Sequence, residues 1–152
     1  MKFKPLTFLA VAAFLVACNS KNENTQTANP LIGTWKLVSG VTITKGENKP
    51  NSYPKGQEMI KIINDTHFAF LNHIVNTPKD SSNMFDAGGG AYTLKGDQYT
   101  EHLDYYKDKA WEGKPFTFTI TFSGDTLIQK GIEKVEGTGI DRVIIEKYLK
   151  LK

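Results

Sequence analysis

The chain has 152 residues, 19 Lys and Arg against 16 Asp and Glu, and a single cysteine. So even a charge balance excludes the concentrated basic face of a nucleic-acid binder, and one cysteine excludes a disulfide framework. The length is enough for one domain with its own core.

Residues 1–17 read as a leader. Lys2 and Lys4 form a positive head, and the apolar run Leu6 to Ala17 is too short for a spanning helix, which needs roughly 20 residues. The run ends in Leu15-Val16-Ala17-Cys18, which resembles the lipobox of bacterial lipoproteins. The resemblance implies cleavage before Cys18, lipid attachment at Cys18, and an exported protein anchored to a membrane without spanning it. The outer membrane is the expected address, facing the periplasm or the surface. Several acyl chains anchor stably where one is marginal.

Cys18 and the polar stretch Asn19 to Asn29, closed by Pro30, read as a flexible linker, because nothing in it buries enough surface to offset ordering. A coil of that length reaches about 18 Å. Without Lys2 and Lys4 the mature chain carries 17 basic against 16 acidic side chains.

Residues 31–152 form the predicted domain, and their period is two almost throughout. Thr34 to Thr44 alternates with Trp35, Leu37, Val41 and Ile43 on one side. Strands follow over Glu58–Asn64, His67–Ile74, Gly90–Lys95, Gln98–Tyr106, Phe116–Phe122, Thr126–Lys130 and Ile140–Leu151. Turn chemistry separates them at Asn64-Asp65, Lys95-Gly96-Asp97, Ser123-Gly124-Asp125 and Gly137-Thr138-Gly139. Two longer connections remain, Lys45 to Gln57 and Asn76 to Gly89. Eight strands joined by short turns predict an antiparallel meander, and a meander removes its edges by closing into an up-and-down β-barrel. An open sandwich of the same strands is the alternative.

Gly33-Thr34-Trp35 on the first strand looks like the Gly-x-Trp signature of the lipocalin and fatty-acid-binding-protein superfamily, and the domain resembles bacterial lipocalin-like lipoproteins. The glycine cluster before Tyr92, the stretch Gly96 to Tyr106 and Gly124-Asp125 fit the same pattern. The resemblance implies that Trp35 plugs one barrel end beneath a basic side chain of the last strand. Arg142, Glu146, Tyr148 and Lys150 share one face there, so either Arg142 or Lys150 is in place to cover Trp35.

Inside such a barrel the aromatic load forms either a ligand cavity or a filled core. Phe68 and Phe70 share a face, as do Phe116, Phe118 and Phe122, while Tyr92, Tyr99 and Tyr105 supply hydroxyls. Glu101 shares a face with Tyr99, Leu103 and Tyr105, and a buried carboxylate needs a partner, for which Arg142 is the candidate. The opposite phase would turn Thr100, His102 and Asp104 inward. The candidate ligand-binding set is therefore Phe68, Phe70, Tyr92, Tyr99, Glu101, Tyr105, Phe116, Phe118 and Arg142.

No catalytic residue is assigned, since there is no nucleophile elbow, no helical zinc motif and no carboxylate pair held at a defined separation. His67 and His73 share a strand face and His102 lies on another strand, without companion ligands at an indicative spacing, so no metal or cofactor is expected. Gly88-Gly89-Gly90 leads into a strand, not a helix, and so is no phosphate loop. The chain reads as a non-enzymatic membrane-anchored lipoprotein whose barrel binds or carries a small hydrophobic or amphipathic molecule. The alternative is a structural or protein-interaction module of the cell envelope that binds no ligand.

Overall fold

A computed structural model describes residues 29–51, 56–75 and 84–152. The expected leader, Cys18 and most of the linker lie outside the described residues. Ten strand segments follow in chain order. They are β1 (Gly33–Thr44), β2 (Glu47–Asn51), β3 (Gln57–Ile63), β4 (His67–Ile74), β5 (Phe85–Lys95), β6 (Gln98–Leu103), β7 (Tyr105–Tyr106), β8 (Lys114–Ser123), β9 (Thr126–Val135) and β10 (Ile140–Lys150). Every pairing is antiparallel, and β10 returns to pair with β1 from Trp35 to Ile43. That closure removes the open sandwich.

The ten segments occupy eight positions. β2 and β3 share one edge of β1, opposite Gly40–Thr44 and Gly33–Lys36 respectively. β6 and β7 likewise share one edge of β5. The result is the expected eight-stranded up-and-down barrel.

Three boundaries differ from the sequence reading, each for a local reason. β2 lies inside what reads as the Lys45–Gln57 connection. It pairs through a tight turn at Lys45-Gly46, where both residues have positive φ (51° and 80°), the backbone a two-residue hairpin requires. β5 starts at Phe85, five residues before Gly90, so the glycine cluster sits within the strand. Glycine is needed there because neighbouring backbone comes too close for a side chain: a Cβ on Gly89 would lie 2.4 Å from the Phe68 carbonyl oxygen, and one on Gly90 1.9 Å from that of His102. β9 continues past Lys130 to Val135 for the same reason, since a Cβ on Gly131 would meet Phe118 at 2.5 Å.

Two irregularities reset which side chains face inward. A bulge between Leu37 and Ser39 shifts the β1 register. Trp35 and Leu37 are buried before it and Gly40 and Thr42 after it, so Val41 and Ile43 do not share the Trp35 face, contrary to the simple alternation. The break at Asp104 between β6 and β7 acts similarly. Asp104 Oδ2 accepts a hydrogen bond from the Ala91 amide at 3.0 Å, and beyond it Tyr106 turns inward while Tyr105 stands 71% exposed. Tyr105 therefore does not share the face of Tyr99, Glu101 and Leu103.

One end of the barrel is plugged. Trp35 is 1% exposed, its Nε1 donates to the Leu31 carbonyl at 2.8 Å, and Lys150 Nζ lies 5.1 Å from its ring centroid. Lys150, not Arg142, is the covering cation. Gly33 is required beside it: its φ is +145°, and a Cβ would sit 2.7 Å from Lys150 Cε. Asn29 holds the incoming chain to this end, its side-chain amide donating to the Tyr92 hydroxyl at 2.9 Å, which in turn donates to the Asn64 carbonyl at 2.8 Å.

Candidate functional site

Above the plug the inward faces of β3, β6, β8, β9 and β10 leave a cavity of about 190 Å³. It opens at the end opposite Trp35. Its deep wall is an ion pair. Lys61 on β3, 2% exposed, reaches Glu101 on β6, 8% exposed, at 2.6 Å, and also donates to Gln129 Oε1 on β9 at 3.1 Å. The rings of Phe68, Tyr99 and Tyr148 surround the ammonium, 5.8, 5.9 and 5.1 Å from Nζ to their centroids. A buried ammonium with no carboxylate would carry a desolvation penalty of several kcal/mol or more. The carboxylate, the amide oxygen and three ring faces offset it here.

Glu101 is thus buried and paired, as its phase on β6 implies, but its partner is Lys61. Arg142 lies nearer the mouth and pairs with Glu133 instead. Nε and Nη2 both contact Glu133 Oε2, at 2.7 and 2.6 Å. The two residues face each other across the β9–β10 ladder, where Arg142 is registered with Glu133, so the nearer carboxylate captures the guanidinium.

Between these pairs Glu146 lines the cavity from β10. Its Oε2 accepts a hydrogen bond from the Tyr148 hydroxyl at 2.6 Å. Burial holds its carboxyl above the usual carboxylate range; Lys61 and the Tyr148 hydrogen bond pull the other way. Deeper still, burial first and then the Glu101 charge push the Tyr99 hydroxyl up, so that phenol stays neutral.

The mouth is narrowed by the turn between β7 and β8. The amides of Trp111 and Glu112 both donate to the Asp108 carbonyl at 3.0 Å, and Lys109 pairs with Glu112. This turn lays Trp111 against Phe116 (5.5 Å between centroids) and Tyr106 (6.4 Å), with the Arg142 guanidinium 5.9 Å from the Trp111 ring. Tyr106 donates to Asp86 at 3.2 Å; burial and that carboxylate raise its hydroxyl to about 12.

Of the nine candidate ligand-binding residues, the cavity brings together Phe70, Glu101, Phe116, Phe118 and Arg142. Phe68, Tyr92 and Tyr99 pack below it in the core around the plug, with Tyr92 and Tyr99 edge-on at 5.4 Å. Tyr105 is outside. The residues that sequence reasoning passed over are Lys61, Gln129, Glu133 and the mouth aromatics Tyr106 and Trp111, and Glu146, though placed on the face of Arg142 and Tyr148, has no part in the candidate set. Lys61 had a usable signal: it lies two residues from both Met59 and Ile63, so the phase that buries them turns its ammonium inward. Among the described residues no group of three or more His, Cys, Asp and Glu is placed to hold a metal ion.

Closure, the tryptophan plug under a last-strand cation and the open cavity above it define a lipocalin-like barrel. No family model matches the chain and no curated protein matches it. Among solved structures, a lipocalin-like protein from Bacteroides uniformis matches over 80% of this chain and 98% of its own, at 18% identity and a TM-score of 0.47.

Proposed function

We propose that this protein is a membrane-anchored lipoprotein whose barrel binds a small molecule non-covalently, without catalysis. The cavity carries the reading: it pairs aromatic walls with a few fixed polar groups, the make-up of sites that hold small molecules. Its size narrows the ligand. An apolar cavity of about 150 Å³ holds benzene, so about 190 Å³ suits one ring or a short aliphatic body. The polar walls favour an amphipathic ligand over a wholly apolar one, since an apolar group set against Glu146 and Arg142 would strip water from them without replacing it.

The test is native mass spectrometry of the purified protein, followed by thermal shift with a panel of small ring compounds. The expected outcome is a retained mass or a concentration-dependent rise in Tm. Absence of both rejects the binding reading.

The outer face favours a second reading. Leu71, Phe85 (60% exposed) and Tyr105 stand out over the small residues Ala69, Ala87 and Gly89 on β4 and β5, and Ile62 is exposed on β3. Contiguous exposed apolar surface of this kind marks interaction sites. Replacing Leu71 and Phe85 with Ser and recording native complexes in envelope extracts tests that reading.

A further inference from the structure

We infer that the cavity selects a small organic cation, an ammonium group carried on a ring or short aliphatic body, with Glu146 as the carboxylate that receives it. This rests on the binding reading above and adds the charge class of the ligand.

The argument is a matching of charges. The cavity wall carries three carboxyl groups, Glu101, Glu133 and Glu146, against two cations, Lys61 and Arg142. Both cations are matched, Lys61 to Glu101 at 2.6 Å and Arg142 to Glu133 at 2.6 Å. Glu146 forms no ion pair with any described residue, and its one hydrogen bond, from the Tyr148 hydroxyl, falls on Oε2. Its other oxygen is left to whatever enters. Arg142 retains a guanidinium edge, but its charge is already met by Glu133 and its face by Trp111. With Glu146 ionised, a third cation makes the interior neutral, whereas an anion adds to the excess of carboxyl groups.

The surroundings suit a cation in a second, independent way. Phe70, Trp111, Phe116 and Phe118 line the same cavity, and a desolvated ammonium is attracted to the electron-rich face of such rings. The groups facing Glu146 are Lys61 from β3, Glu101 from β6, Glu133 from β9, and Arg142 and Tyr148 from its own strand. Lys61 favours the ionised carboxylate, while burial, Glu133 and Glu101 oppose it. An empty cavity therefore holds a proton on Glu146 more readily than ordinary carboxyls do, and an arriving ammonium displaces that proton. Binding should release protons to the buffer and weaken as pH falls.

Benzylamine, benzyl alcohol and benzoate share a ring and differ in charge, so isothermal titration of the purified protein with each isolates the charge contribution. Benzylamine is expected to bind at least tenfold more tightly than benzyl alcohol, with benzoate weakest. Glu146→Gln, which keeps the shape and an oxygen for Tyr148, should lower benzylamine affinity at least tenfold and benzyl alcohol affinity by a much smaller factor. Titrations of the unaltered protein in two buffers of different ionisation enthalpy report proton release without relying on any variant. Benzoate binding as tightly as benzylamine, or an amine affinity indifferent to Glu146→Gln, overturns the charge inference while leaving small-molecule binding intact. Failure of all three compounds to bind overturns both.

Discussion

Lys61 and Glu101 show how a barrel interior tolerates charge. Removing one partner strands the other, and breaking a buried pair costs about 3–5 kcal/mol, whereas replacing both with apolar groups of similar volume is often neutral or stabilising. Lys61→Met should therefore destabilise by about that amount in urea unfolding, and adding Glu101→Leu should recover most of it. A double variant no more stable than the single one would mean that Gln129 and the surrounding rings, not Glu101, hold Lys61. Glu146 behaves differently because it has no cation to lose. Its folded carboxyl titrates above the ordinary 4.5, so between 4.5 and its raised value the folded state keeps a proton that the unfolded chain releases. Stability from this group is full below pH 4.5 and declines as pH rises through the folded value. Glu146→Gln lacks that decline, so its stability relative to the unaltered protein should rise with pH, a difference readable from paired unfolding curves at pH 4 and pH 8. These interior roles were partly legible. The phase of β6 turned Glu101 inward and the need for a partner followed, but lysine in a strand ordinarily reads as solvent-facing. Arg142 looked available because cross-strand register, which seats Glu133 against it, is not visible in one strand taken alone.

At the scale of elements, glycine was the main source of misreading. In sequence, Gly88-Gly89-Gly90 and Gly131 look like interruptions; in the barrel each sits where a neighbouring strand's atoms leave no room for a Cβ. Gly90→Ala places a methyl group into the His102 carbonyl and against Asp104. Overpacking typically costs about 1–3 kcal/mol, and here the obstacle is backbone, so a loss at or above the upper end is expected, with weaker amide-exchange protection at Ala91 where Asp104 accepts. Gly124→Ala is the control: nothing lies within 4 Å of a Cβ there, and only its φ of +57° is strained. Similar losses at both positions would refute the close-approach account. Alternation found the strands, and turn residues found most hairpins, because both are local signals. The bulge after Leu37 and the break at Asp104 each move an inward face by one residue, and a period of two cannot report its own dislocation.

For the molecule as a whole, closure was legible from the meander and from the tryptophan two residues after Gly33, while cavity volume was not, because it depends on how far each ring reaches. The anchor belongs to this scale too. Cys18→Ser should release the protein from membranes, and a variant that still sediments with them after a carbonate wash would reject lipidation.

The way the chain enters the barrel has a consequence for traffic. Asn29 is fastened to Tyr92, and the Leu31 carbonyl accepts from the Trp35 indole, so a lipid leash on the proposed anchor would join the body at its sealed end. On that attachment the mouth near Trp111 would lie at the end of the body away from the leash. Guests would then enter from the aqueous compartment, and the expected outcome is that uptake proceeds at the same rate whether or not the leash is attached, as stopped-flow binding to the lipidated and the Cys18→Ser proteins would read.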